Sequence, residues 1–390
     1  MSTQSVSLER TKAQPVAAEA RASIGSRLLF VDNIRVFLTI LVILHHLMII
    51  YAGTGNWDYM EGRQDVVVDG LGGWFCATNQ AYFMGLFLLI SAYFVPGSYD
   101  RKGAGRFLKD RLIRLGIPLA LYSWVINPLF WYAFSSQEIG EYFRSGQLLG
   151  HGPLWFIEVL LILSLVYVVW RLLTRSRPPQ PAVEARFPAN GAIALFALLL
   201  GMAGFLVRVV FPIDGYTFRP LNLQLGFFAQ YIALFVVGLI AYRRNWLLGL
   251  PDKTGRLWLG IAVLLILFWA PMMVVNGAIN DDNSFKGGAN WQSLLYALWE
   301  SFLCLSMCIG LIYAFRRYLN QRGKIAGFLV PNAYTAYIIH APAITTLAFA
   351  VRDVMLYPLL KWGLVALVAV PLCFGLSSLI RKLPYTDRVL

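Results

Sequence analysis

The chain has 390 residues, of which 58% are hydrophobic, 15% aromatic and only 14% charged, whereas about a quarter of the residues of a soluble domain carry charge. A formal charge of +13 does not indicate nucleic-acid binding here, because Lys and Arg stand in clusters between apolar stretches, the pattern of orientation bias in a membrane protein. Cys76, Cys304, Cys308 and Cys373 lie in or beside apolar runs without a CxxC pair, so neither a disulfide framework nor a zinc site is implied.

Residues 1–27 are polar and alanine-rich, with Arg10, Lys12, Arg21 and Arg27 and no continuous apolar core. They read as a disordered cytoplasmic tail rather than a cleavable signal. Residues 28–390 read as a single transmembrane domain. Apolar stretches fall at 29–51, 76–97, 113–134, 152–172, 190–210, 225–242, 256–276, 291–314, 331–350 and 355–380, each near the roughly 20 residues a helix needs to span a bilayer. The expected fold is an all-α integral membrane bundle of about ten transmembrane helices with both termini cytoplasmic. Placing the N-terminus inside puts 25 of the 33 Lys and Arg residues on the cytoplasmic side and 6 on the other, with Arg35 and Lys361 inside spans. No connection is long enough for a catalytic domain, and 171–190, with RSRPPQP, reads as a flexible linker.

Ionisable groups at membrane depth carry the functional signal, since each costs roughly 3 kcal/mol unless paired or facing a wet cavity. The first span contains Asp32, Arg35, His45 and His46. At about 100° and 1.5 Å per residue, Arg35 and His46 share one helix face about 16 Å apart, while His45 points elsewhere. A cation near the cytoplasmic mouth and an imidazole towards the outer surface mark the two ends of a passage. The structural alternative is that Arg35 snorkels beside Asp32 and His46 bonds a backbone carbonyl. The RLIR step places Arg111 and Arg114 at the cytoplasmic end of the third span, suited to phosphates or to lipid headgroups. The fourth span adds His151 and Glu158 on one face with Trp155 between them. Glu158 lies at a depth similar to that of His46 and is a candidate orienter of its imidazole, or a partner of Arg208 or Arg219. Glu300, and His340 with Tyr334 and Tyr337, are further polar groups at depth. Tyr337 and His340, three apart, share a face and serve either substrate or the bundle itself.

These segments together resemble the acyltransferase family 3 membrane proteins, which include bacterial glucan-modifying succinyltransferases and O-antigen and exopolysaccharide O-acetyltransferases. The resemblance runs from the first span to about His340. It rests on Arg35 and His46 within DNIRVFLTILVILHH, FMGLFLLISAYFVP with Ser91, RLIR with Arg111 and Arg114, LWFIEVLLILS with Trp155, GLIAYRRNWL, and AYTAYIIHAP with His340. Val36 stands where the family commonly has glycine, and Ser91–Ala92 where it has Ser-Gly. The extra periplasmic hydrolase-like domain of some members is absent, as in the single-domain branch.

The resemblance implies transfer of an acetyl or succinyl group from cytoplasmic acyl-CoA to a hydroxyl of a glycan or lipid-linked sugar at the outer face of the cell inner membrane. His46 would be the general base, Glu158 its orienter, and Arg35, Arg111 and Arg114 the holders of the CoA phosphates. Trp155, His151, His340 and Tyr337 would contact the acceptor. Acyl-CoA would be a substrate rather than a tightly bound cofactor, and the partners would be membrane lipid and polysaccharide-assembly proteins. No metal is expected, because His45, His46, His151 and His340 lack a ligand spacing such as HxxxH. Two other classes fit the same composition: a transporter or flippase, which would leave acyl-CoA uncleaved, and a regulatory partner in an export complex.

Overall fold

A computed structural model describes residues 28–390 apart from 56, 58, 62–64, 136–151, 175–184, 215–222, 278–281, 322 and 385. The expected tail at 1–27 and His151 lie outside the described residues. Ten long helices follow in order among the described residues: α1 Leu29–Ala52, α2 Val66–Tyr93, α3 Val95–Phe134, α4 Trp155–Leu173, α5 Asn190–Val210, α6 Phe228–Arg243, α7 Asp252–Val275, α8 Trp291–Tyr318, α9 Lys324–Ala350 and α10 Pro358–Ile380. No β-strand occurs among the described residues, as hydrocarbon demands of a chain that must satisfy its backbone within each span. The protein is an all-α, multi-pass membrane protein.

Nine of these helices are long and apolar enough to cross a membrane. The tenth, α9, is 27 residues long but carries Asn332, Tyr334, Thr335, Tyr337 and His340 together with Pro331 and Pro342. Its polar content marks a helix that serves the interior of the bundle rather than lipid. The basic stretch at 98–114, read from sequence as a loop, is helical. Val95–Arg111 forms one element interrupted only at Gly103 (φ 70°), because Arg, Lys and Leu are good helix formers and only glycine relaxes there. Two π turns, Leu112–Gly116 and Tyr122–Ile126, then punctuate α3. Such turns displace the helical face locally and recur at functional sites.

The centre of the bundle is α1, α2 and α8, whose most apolar segments are 72%, 72% and 78% buried, against 22% for α7. Helix α1 packs against α2, α8, α9 and α10, and α8 packs against α7, α5 and α2. The outer helices expose Leu264, Leu267, Val166 and Leu367, which only a lipid surround makes inexpensive. Small residues allow close crossings, as at Gly238 of α6, where a Cβ would run into the Leu89 carbonyl of α2. Ala333, Ala336, Ala348, Ala366 and Ala369 similarly seat α9 and α10 on α1. All four cysteines are free and buried.

At one end of the bundle the start of α1 is pinned to the turn after α8. The backbone N–H of Phe30 donates to Asn320 Oδ1 (3.1 Å), and Asn33 Nδ2 donates to the Leu319 carbonyl (2.6 Å). At the other end the connection from α1 to α2 folds back over the helix tips. There Trp57 Nε1 donates to Thr345 Oγ1 of α9 (2.8 Å), and the Glu61 N–H donates to the Ile50 carbonyl (2.9 Å).

Candidate active site

Helix α1 is unbroken from Leu29 to Ala52, so Arg35 and His46 stand on one stripe with an axial separation of about 16 Å. Helix α9 runs parallel to it, as two odd-numbered spans must, and its polar residues pair off with the same two levels.

At the arginine end, Arg35 Nη1 lies 3.4 Å from Asp32 Oδ1, and its guanidinium sits 4.8 Å from the centre of the Phe94 ring at the α2–α3 junction. Arg111 lies within electrostatic range of both Arg35 and Arg114. The structure therefore gathers the three arginines that the sequence singles out, from α1 and α3, into one basic group. Tyr334 of α9 donates its hydroxyl to the Arg114 carbonyl (2.5 Å), tying the first π turn to α9. Arg111 is half-buried and Arg114 exposed.

At the other level, His46 Nδ1 is 2.8 Å from His340 Nε2. The two rings are 13° from parallel with centroids 4.9 Å apart, the geometry of an in-plane hydrogen bond rather than of a face-to-face stack. His340 Nδ1 in turn lies 2.5 Å from the Tyr337 carbonyl. A carbonyl can only accept, so His340 carries its proton on Nδ1, and in the neutral ring Nε2 is then an acceptor. Nδ1 of His46 must donate to it, which leaves the lone pair of His46 on Nε2. His46 is only partly buried, whereas His340 is fully buried. Trp57 lies against the His46 ring at 4.4 Å and 27°, where an indole face favours an imidazolium over the neutral ring.

The start of α4 packs against α9 at Tyr337. The Tyr337 hydroxyl donates to the Pro153 carbonyl (2.5 Å), holding the turn Gly152–Leu154 against α9. Phe156, Phe87 and Tyr337 form one aromatic group, with ring centroids 5.5 to 6.3 Å apart. Trp155, partly exposed, stacks on Tyr231 of α6 at 5.2 Å. Tyr337 is thus occupied at both its hydroxyl and its carbonyl. Glu158 is buried on α4. The contact at His46 Nδ1 comes from His340, a residue expected to touch acceptor. Arg208, weighed as a partner for Glu158, forms a buried pair with Glu300 and donates through Nε to the Gly226 carbonyl (3.1 Å).

Sequence reasoning missed Trp57, Glu61 and the role of Lys361. Lys361 is buried in α10, and its Nζ donates to Glu61 Oε2 (2.5 Å). A lysine inside an apolar span is itself a signal that a partner exists, but nothing in the pattern names one 300 positions away.

A partly buried imidazole with a directed lone pair and a basic group about 16 Å down the same helix suit a membrane-embedded group-transfer enzyme. The sequence profile described as the acyltransferase domain of family 3 matches residues 28–378, and the chain belongs to that family of acyltransferases. It is similar to proteins named glucans biosynthesis protein C from Salmonella paratyphi A, Salmonella agona (strain SL483) and Salmonella dublin, each 25% identical over 353 residues that cover 80% of this chain and 81% of the relative. No solved structure matches the chain.

Proposed function

We propose that this protein transfers an acetyl or succinyl group from cytoplasmic acyl-CoA to a hydroxyl of a glycan or lipid-linked saccharide at the outer face of the membrane. The observation that carries this reading is the His46–His340–Tyr337 relay, which leaves Nε2 of His46 as a base, standing about 16 Å along α1 from the arginine group. Arg35, Arg111 and Arg114 would bind the CoA phosphates through charge-assisted hydrogen bonds, and the excess of Lys and Arg on their side supports a cytoplasmic placement. The extended pantetheine arm would then run along α1 to bring the thioester to His46.

In the reaction, His46 Nε2 takes the proton of the acceptor hydroxyl while that oxygen attacks the thioester carbonyl. Collapse of the tetrahedral adduct breaks the C–S bond, and the departing CoA sulfur recovers the proton from His46. The imidazolium formed in between is stabilised by His340 Nε2 in its plane and by the Trp57 face. Trp155 offers a partly exposed apolar wall to a sugar. The relatives bear a glucan-biosynthesis name, which supports a glycan as acceptor; the cell inner membrane would be the setting and polysaccharide-assembly proteins the partners.

Proteoliposomes test this arrangement. Acetyl-CoA or succinyl-CoA is supplied on one side and a gluco-oligosaccharide is enclosed on the other, and the enclosed sugar is examined by mass spectrometry. Acylated sugar in the lumen supports transfer through the bundle. Acylation only when donor and acceptor share a compartment contradicts it.

A further inference from the structure

Beyond His46, towards the tips of α1 and α10, lies a cavity of about 140 Å³ lined by Tyr51, Glu61, Arg352 and Lys361 and by apolar groups that include Leu356 and Pro358. We infer that this cavity binds one pyranose ring of the acceptor saccharide, next to the ring that His46 activates. The inference rests on the transferase reading for its place in the reaction, though not for the binding itself.

Two observations carry it. The first is chemistry. Glu61 accepts from the Tyr59 hydroxyl (2.9 Å) and from Lys361 Nζ (2.5 Å), and Lys361 also donates to the Arg352 carbonyl (3.3 Å). A lining that mixes polar and apolar groups suits a sugar, whose hydroxyls radiate around a ring with C–H faces. The second is Tyr51. Its side chain is 1% exposed, it lines the cavity, and its hydroxyl has no hydrogen-bond partner among the described residues. A buried hydroxyl left unpaired costs about 1–3 kcal/mol. The Lys361–Glu61 pair alone would anchor the α1–α2 connection without it, so that anchor leaves Tyr51 unexplained.

Tyr51 is five residues beyond His46 on α1, about 7.5 Å further along the axis and about 140° around it. The connection that supplies Glu61 also supplies Trp57, which lies on the His46 ring, so a sugar in the cavity and the base at His46 are registered by one segment of backbone.

The test is calorimetric titration of the full-length protein in lipid nanodiscs with glucose and with linear gluco-oligosaccharides of two and four units, without donor. Wild-type protein is expected to bind the oligosaccharides more tightly than glucose. Tyr51→Phe, which removes one oxygen and no volume, is expected to weaken oligosaccharide binding about threefold to tenfold. Leu356→Trp, which fills the cavity, is expected to abolish the gain from the second unit, with both variants first shown to be monodisperse. Equal binding by wild type and Tyr51→Phe, or no saccharide binding by wild type, overturns the inference. Tyr51-dependent binding in a protein that releases no thiol from acyl-CoA would keep the sugar site and reject the transferase reading instead.

Discussion

Nδ1 of His46 and Nε2 of His340 meet at 2.8 Å across the α1–α9 interface, and the Tyr337 carbonyl behind His340 decides which way the proton points. The relay makes His340 a tautomer-setting residue. Replacing it by alanine leaves His46 free to rotate and to carry its proton on the wrong nitrogen, so kcat is expected to fall about 100-fold or more with little change in donor KM. His340→Gln can present an amide oxygen to the Nδ1–H of His46 and is expected to recover part of the rate. Steady-state kinetics on both variants checks this, and equal losses would argue for a merely structural role.

In the proposed reaction Trp57 would stabilise the charged form of the base. Trp57→Ala is expected to lower kcat about threefold to thirtyfold, the range of a partly desolvated cation–π contact, and Trp57→Phe less. Because the contact stabilises the imidazolium, the alanine variant should also shift the acid limb of the kcat profile to lower pH, which a pH–rate series measures.

In the proposed reaction the arginine group would hold the donor. Arg111→Ala and Arg35→Ala are each expected to raise KM for acyl-CoA about tenfold through the loss of charge-assisted hydrogen bonds. The effect should disappear with an acyl-pantetheine donor, which lacks the nucleotide phosphates. An equal penalty with both donors would move these residues from phosphate binding to structure.

The Arg208–Glu300 pair lies deep in the bundle, with side chains 1% and 7% exposed, beneath the Phe227 ring. Arg208→Met alone strands a buried carboxylate and is expected to destabilise the protein by about 3–5 kcal/mol. Adding Glu300→Leu should recover most of that loss. Thermal unfolding in detergent reads both.

Much of this was legible in the sequence. Runs of apolar residues locate the spans because the bilayer imposes both their length and their composition. Helical periodicity within DNIRVFLTILVILHH places Arg35 and His46 on one face because a helix rotates by a fixed angle per residue. Periodicity acts within one helix, however, and does not say which face of another helix it meets. Hence Tyr337 and His340 are recognisable as facing together, yet the contact from His340 to His46 crosses 294 positions and left no local trace. Trp57 and Glu61 lie in a connection with no period at all, so their return to the bundle was out of reach. The helical form of 98–111 was masked by charge, which marks the side of the membrane and says little about backbone conformation.

The most direct test of the account is single-turnover thiol release from acetyl-CoA and succinyl-CoA by detergent-purified protein with a gluco-oligosaccharide acceptor, comparing wild type with His46→Ala. The account predicts acceptor-dependent release by the wild type and a rate reduced by about 100- to 10,000-fold in the variant, the usual worth of a positioned base. Full activity in His46→Ala would contradict it.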